Sequence, residues 1–428
     1  MLRLIDSTDL NKLQDYLEER EDDVEKEIVV TVENIISDVK KRKDIALKQY
    51  TEQFDNVSID NFIMSEEEIN IIYETVDKEF IKNLIEAKEN ITYYHKQQIQ
   101  SGYELQKEHG VYLGQRVIPL EKVGVYVPGG RAAYPSSVLM NVIPAKIAGV
   151  KEIVMVTPPS KDGTINPYIV AAAKIAGVTK IYKVGGAQAI GALAYGTETI
   201  PKVDKIVGPG NIFVATAKRL VYGKVDIDMI AGPSEILVVA DNNANPVYVA
   251  ADLISQAEHD PMASSILLTT SKELIDAVNE ELERQTNQLP KKHIIKESLL
   301  NYGTAMVCET LEQCIEISNK IAPEHLELMI ESGKDYLDLV KNAGSVFLGY
   351  YTCESIGDYF GGTNHVLPTN GTARFYSPLS CDSFVKKSSY LYYSKEAIQR
   401  DGKKIINIAE KENLDGHANA VKVRLEGE

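Results

Sequence analysis

A repeated unit constrains the fold of this chain more than any other feature. Ala145-Lys-Ile-Ala-Gly-Val150 runs into Ile153-Val-Met-Val156, and 28 residues later Ala173-Lys-Ile-Ala-Gly-Val178 runs into Ile181-Tyr-Lys-Val184. Each copy reads as a helix closed by glycine and followed by a short apolar strand. Successive units of this kind build a parallel sheet, because parallel neighbours need a crossover of helical length. Two copies are too few for a solenoid. Further strands are expected at 204–207 and 235–240, with a helix at about 211–221, so residues 123–240 read as one doubly wound α/β domain.

The alternation then resumes. Strands are expected at 265–270, 304–307, 326–330 and 345–348, with helices at 272–285, 311–321 and 334–341 between them. This is a second α/β domain, into which the first is inserted. Residues 1 to about 105 read as helical, with amphipathic runs at 24–50 and 66–95. From about Pro378 a strand at 390–393 and a helix through Glu412 lead to LDGHANAVKVRLEG, an extended tail too short to form a domain. The expected division is 1–122 together with 241–377, then 123–240 inserted, then 378–428.

A chain of 428 residues exceeds one ordinary core. Its hydrophobic fraction of 44% and charged fraction of 25% suit a soluble globular protein. The net charge of −16 argues against nucleic acid or an anionic membrane as partner. The acidic N-terminus has no long apolar run, so no signal peptide is expected, no stretch suits a membrane span, and a cytoplasmic location follows. Cys308, Cys314, Cys353 and Cys381 form no CxxC pair and read as reduced, mostly buried thiols. Cys381 has no evident neighbouring base to make it a nucleophile.

Three glycine-rich turns, Pro128-Gly-Gly130, Gly185-Gly-Ala-Gln188 and Gly208-Pro-Gly-Asn211, follow expected strands. In an open parallel sheet such turns gather at the carboxyl ends, where helix N-termini suit phosphate. No GxGxxG is present, and tight-turn geometry accounts for the glycines equally well. In the stretch DLISQAEHDPMA, a helix reading through 250–258 is stopped by Pro261, with Gln256 and His259 on one face of its last turn. His259 either caps that helix or supplies half of a metal site. Glu324-His325 precedes an apolar strand, Asp358 and His365 share a glycine-rich loop, and Glu412 and His417 flank Leu414-Asp-Gly416. His95 and His109 read as exposed structural histidines. The oxygen and nitrogen donors of Gln256, His259, Asp358 and His417 are of the kind a catalytic zinc accepts, leaving Glu324 and His325 as bases. A zinc-dependent hydrolase with Glu324 activating water, and a nucleotide-binding regulatory module with a structural zinc, are two readings of such a set.

Over nearly its whole length the chain resembles histidinol dehydrogenases. The motifs are VGVYVPGG at 123–130, IVGPGN at 206–211, AGPSEILV at 231–238, SQAEHDP at 255–261, APEHLEL at 322–328, GDYFGGTNHVLPT at 357–369 and ENLDGHANAV at 412–421. Phe360, Gly361 and Cys381 depart locally from the family pattern. The resemblance implies oxidation of L-histidinol through the aldehyde to L-histidine, with two NAD+ in sequence and one zinc per site. It implies Gln256, His259, Asp358 and His417 as zinc ligands and Glu324 and His325 as catalytic bases. Substrate contacts would come from Ser234, His365 and Glu412 together with Gln256, His259, His325, Asp358 and His417. Tyr126, Gln188 and Asn211 would contact NAD. The family's inserted domain, incompletely Rossmann-like, accounts for the missing fingerprint, and its homodimer sends His417 across to the partner's site.

Overall fold

Apolar strands alternating with capped helices leave the backbone few ways to bury both, and in the computed structural model they do so in two parallel sheets. Residues 2–6, 26–108, 110–129 and 134–426 are described. Gly130, Arg131 and His109 lie outside them. Strand β1 (Arg3–Asp6) is followed by helices α1 (Lys26–Arg42), α2 (Asp44–Asp55), α3 (Glu66–Thr75) and α4 (Lys78–His95). Strands β2 (Tyr103–Lys107) and β3 (Val111–Pro119) precede β4 (Lys122–Tyr126). The repeat region supplies α5 (Pro135–Ala148), β5 (Glu152–Thr157), α6 (Pro167–Ala176), β6 (Lys180–Lys183) and α7 (Gly186–Tyr195). Next come β7 (Lys205–Val207), α8 (Ile212–Val221) and β8 (Asp226–Ile227).

The second series is β9 (Glu235–Ala240), α9 (Pro246–Ala257), β10 (Ser264–Thr269), α10 (Lys272–Thr286), α11 (Lys292–Tyr302) and β11 (Gly303–Val307). It continues with α12 (Leu311–Ile321), β12 (His325–Met329), β13 (Ser345–Leu348) and α13 (Glu354–Tyr359). The chain closes with β14 (Val385–Tyr393), α14 (Lys395–Lys411) and α15 (Asp415–Glu426).

Two compact units result, Met1–Gln98 with Glu121–Phe384, and Ile99–Leu120 with Val385–Glu428. In the first, a five-stranded sheet has the order β6-β5-β4-β7-β8 and a six-stranded sheet the order β1-β11-β10-β9-β12-β13, both parallel throughout. Apart from the edge strand β1, each starts from an inner strand, β4 or β9, builds outward on one side and then returns to the other. Helices α1, α2, α7 and α8 bury Val32, Val39, Leu47, Ile190 and Val214 with Val154, Val156 and Ile206 of the five-stranded sheet. Helices α9, α10 and α11 cover one face of the six-stranded sheet, where Leu253, Val278 and Ile295 meet Val238 and Met329. Helix α12 covers the other, where Cys314 and Ile315 meet Leu326 and Leu328. In the second unit, β14 and β2 pair antiparallel with β3 on either side, and α15 packs on α14.

Four expectations need correction. The N-terminus is not wholly helical: Arg3–Asp6 pairs with Thr304–Val307, because β11 would otherwise end the sheet with unpaired backbone groups. The C-terminal tail is not extended but a helix. Val421 and Leu425 of α15 reach Gly402 of α14, where an added Cβ would sit 2.9 Å from the Leu425 Cδ1, so packing supplies what a short isolated helix lacks. His95 is buried rather than exposed, its Nδ1 2.7 Å from Gln98 Oε1. Finally, 334–341 holds a 3₁₀ turn, Gly333–Leu339, in place of an α-helix. The cysteines are free, three buried and Cys353 half-buried. No helix among the described residues is long and apolar enough to cross a membrane.

Candidate active site

A helix that crosses between parallel strands runs antiparallel to them, so its C-terminus arrives at the amino edge of the sheet. Helix α9 delivers Gln256 and His259 to that edge of the six-stranded sheet, and β9 and β12 begin there with Glu235 and His325. Ser234 and Glu324 immediately precede those strands; Ser234 is half-buried, and its carbonyl accepts the Ser264 N–H at 3.0 Å. Ala322, at φ 55°, caps α12 in left-handed geometry and turns the chain into Glu324.

The glutamate and histidine are both buried. His325 Nδ1–H donates to the Glu235 carbonyl at 2.9 Å, while the Glu235 N–H donates to Glu324 Oε2 at 3.0 Å. The two side chains are thus fixed by one residue of the neighbouring strand, and Glu324 Oε2 stands 3.6 Å from His325 Nδ1. His325 Nε2 is buried with no hydrogen-bond partner and points toward Asp358 Oδ1 at 3.8 Å. Burial pushes the Glu324 carboxyl up to about 8, although the neighbouring imidazole opposes it. Burial depresses His325, but the carboxylates of Glu324, Asp358 and Glu354 outweigh it and raise the imidazole to about 10.

Asp358 lies in α13, half-buried; burial raises its carboxyl, but His325, His365 and His259 pull it below the usual range. His365 donates from Nδ1 to the Asp358 carbonyl at 3.0 Å and accepts the Ser137 hydroxyl at Nε2, 3.2 Å away. Burial keeps His365 below its ordinary value, in keeping with a neutral ring. Gln256 is buried and its Oε1 has no hydrogen-bond partner; His259 is exposed, just past the helix end at Glu258. The structure also groups His325, Glu354 and Asp358, with one donor atom from each within 4.8 Å of the others. An unpartnered buried amide oxygen, a carboxylate and imidazoles at the negative end of a helix fit a divalent cation. Glu412 and His417 belong to the other unit, Glu412 capping α14 and His417 in the first turn of α15, both exposed.

Glu235, Ser137 and Glu354 were not singled out from sequence. Glu354 precedes Asp358 by one helical turn, a spacing visible in CESIGDYF. The others are joined to the site only by tertiary structure. Cys381 is no nucleophile: burial raises its thiol to about 11, and Sγ rests 3.4 Å from the His95 carbonyl.

Gly129, Gly185 and Gly208, in the glycine turns of the five-stranded sheet, lie at its carboxyl edge, the first two both against Pro158. Gly208, at φ +109°, passes so close to β4 that a Cβ would stand 2.1 Å from the Tyr126 carbonyl oxygen. The buried Tyr126 hydroxyl accepts the Gly186 N–H at 3.2 Å at the start of α7, and burial pushes this phenol up to about 12. Gln188, in the first turn of α7, is buried with Oε1 unpartnered, and exposed Asn211 caps α8 through the Val214 N–H at 3.2 Å. Lys218 and Asp228, with buried and paired side chains, hold both backbone polar groups of one residue: Lys218 Nζ donates to the Gly208 carbonyl at 2.9 Å and the Gly208 N–H to Asp228 Oδ2 at 2.8 Å.

A family model described as histidinol dehydrogenase matches residues 18–425. Histidinol dehydrogenase of Clostridium acetobutylicum is 57% identical over 418 residues, 98% of this chain and 97% of that protein. That of Streptococcus mutans is 56% identical over 398 residues, 93% of each. The crystal structure of histidinol dehydrogenase from Elizabethkingia anophelis, 46% identical, matches with a TM-score of 0.89 over 93% of this chain and 92% of that one. With sequence, fold and length in agreement, the chain belongs to the histidinol dehydrogenase family of oxidoreductases.

Proposed function

We propose that this chain carries out the zinc-dependent, NAD-linked oxidation of L-histidinol to L-histidine through L-histidinal, the closing steps of histidine biosynthesis, in the cytoplasm. The observation that carries the reading is His325: a buried imidazole whose Nδ1 is occupied by a carbonyl and whose Nε2 is unpartnered beside Asp358.

Gln256, His259 and Asp358 would hold zinc, with His417 supplied by a second copy of the chain. Bound zinc would grip the imidazole and amine of the substrate and so orient it. NAD+ would accept a hydride at each oxidation, bound at the carboxyl edge of the five-stranded sheet by Tyr126, Gln188 and Asn211. His325 takes the hydroxyl proton at Nε2, since an alcohol releases hydride readily only as its proton leaves. That role needs a neutral ring, and a dication on Asp358 would offset one of the carboxylates that raise it, beside Glu324 and Glu354. Glu324 removes a proton from the water that adds to the aldehyde. Ser234, His365 and Glu412 line the substrate; His365, anchored by Ser137 and the Asp358 carbonyl, is a fixed neutral contact. Placement of this kind is worth several kcal/mol of the barrier.

The test is stoichiometry. Purified, zinc-loaded protein given limiting L-histidinol should form about two NADH per substrate, and chelation should abolish turnover with helical circular dichroism intact. Formation of no NADH from histidinol would overturn the proposal.

A further inference from the structure

Behind the site lie three acids that the mechanism does not use, each spaced from a site residue by the repeat of its own element. Asp252 is one turn before Gln256 on α9, Glu327 is two residues after His325 on the same side of β12, and Glu354 is one turn before Asp358 on α13. Glu327 is 1% exposed in a strand otherwise apolar beyond its first residue, where an acid is costly unless partnered. Its Oε1 accepts the Glu354 N–H at 2.8 Å, which fixes the first residue of α13. Its Oε2 is buried with no hydrogen-bond partner, and the carboxyl of Asp252 on α9 is the neighbouring acid whose charge acts on it. Burial raises both carboxyls, Asp252 to about 6, and the charge of Asp252 raises Glu327 further. The Ser255 hydroxyl, also on α9, reaches Glu354 Oε2 at 3.0 Å.

We propose that Glu327 is a positioning residue, a carboxyl brace that sets α9 and α13 against β12 and so fixes the separation of Gln256, Asp358 and His325. The alternative, an acid retained only for stability, gives no reason for its one hydrogen bond to end on α13, at a residue that Ser255 ties to α9, the two helices that carry the zinc donors. Ligand-supporting groups of this kind tune affinity for a metal they never touch. The inference rests on the zinc assignment above.

Zinc affinity of the full-length protein, measured by competition with a chromophoric chelator, is read beside kcat and the KM for NAD+. Glu327→Leu should bind zinc about 10–100-fold more weakly and lose kcat by a similar factor, with the KM for NAD+ unchanged. Glu327→Gln keeps an acceptor for Glu354 and gains a donor for Asp252, and should recover to within about threefold of wild type. A Glu327→Leu protein that melts lower but binds zinc and turns over like wild type overturns the brace. If Glu327→Leu does not fold, Asp252→Ala decides: weakened zinc binding supports the brace, and wild-type affinity overturns it. Failure of the wild type itself to take up zinc would instead sink the zinc assignment. The brace would then be judged on kcat, with Glu327→Leu expected at a tenth of wild type or below.

Discussion

His325 donates from Nδ1 to the carbonyl of Glu235, 2.9 Å away on the adjacent strand, and this bond settles which nitrogen can do chemistry. With Nδ1 carrying the proton, Nε2 is the face left for a substrate. The Glu235 N–H simultaneously holds Glu324, so imidazole and neighbouring carboxyl are indexed to a single residue.

Two variants should separate their roles. His325→Asn should lower both half-reactions, by about 100- to 10,000-fold, because each needs a base at the same atom. Glu324→Gln should slow aldehyde oxidation far more than alcohol oxidation, since only the former consumes water. Glu324 is raised to about 8, so it becomes a carboxylate, and a base, as pH rises through that value. The aldehyde step should therefore gain rate across that range, and Glu324→Gln should erase the gain. Stopped-flow NADH formation from histidinal reads this directly; equal slowing of both steps would remove Glu324 from water activation.

Much of this arrangement could be read from the residues, and what could not has a physical cause. Residues 235–240, 311–321 and 345–348 form elements with those bounds because apolar runs there end at polar or capping residues. The glycine turns were expected at a carboxyl edge and lie at one. The histidine–glutamate pair, by contrast, lies at the amino edge of its sheet, which period and propensity do not specify. Glu327 sits inside LEL, where an acid in a strand looks like a solvent-facing residue until the helix above it is placed. Arg3–Asp6 was missed because an edge strand is defined by its partner, and α15 because its support comes from α14.

The Lys218–Asp228 pair makes a prediction on the cofactor side. Both are nearly inaccessible, and together they clamp the Gly208 peptide that leads to Asn211. Lys218→Met strands a buried carboxylate, which should cost about 3–5 kcal/mol in denaturant unfolding. Adding Asp228→Asn should recover part of that stability. The KM for NAD+ should rise in the single variant while the KM for histidinol stays put.

Asp55 gives a pH dependence of stability with a definite sign. Its carboxyl is partly buried with Oδ2 unpartnered, and burial raises it from 3.8 to about 6. The folded state therefore holds this proton more tightly than the unfolded chain. Its stabilising contribution is full below the unfolded value and is lost as pH rises through about 6. With allowance for partial exposure, the loss is on the order of 1 kcal/mol. Asp55→Asn should be more stable than wild type at pH 7 and lose that advantage at pH 4. Thermal melts at the two pH values check it; an advantage that grew on acidification would contradict it.

The last prediction concerns how many chains build one site. Asp358 and His417 are in different compact units, and His417 is exposed on α15. A histidine that completes a zinc site from an exposed helix is well placed to serve a second copy, as an interface built by two-fold symmetry would do twice. We expect Asp358→Ala and His417→Ala proteins each to be inactive by about 100-fold or more, since each lacks a donor at every site. Mixed under conditions of subunit exchange, they form heterodimers. If His417 acts across the interface, one site of each heterodimer carries both lesions and the other carries none. A random mixture is half heterodimer, so about a quarter of wild-type activity should return. If His417 serves its own chain, every site keeps one lesion and nothing returns. Native mass spectrometry confirms exchange, and absence of recovery with exchange established would rule out the shared site.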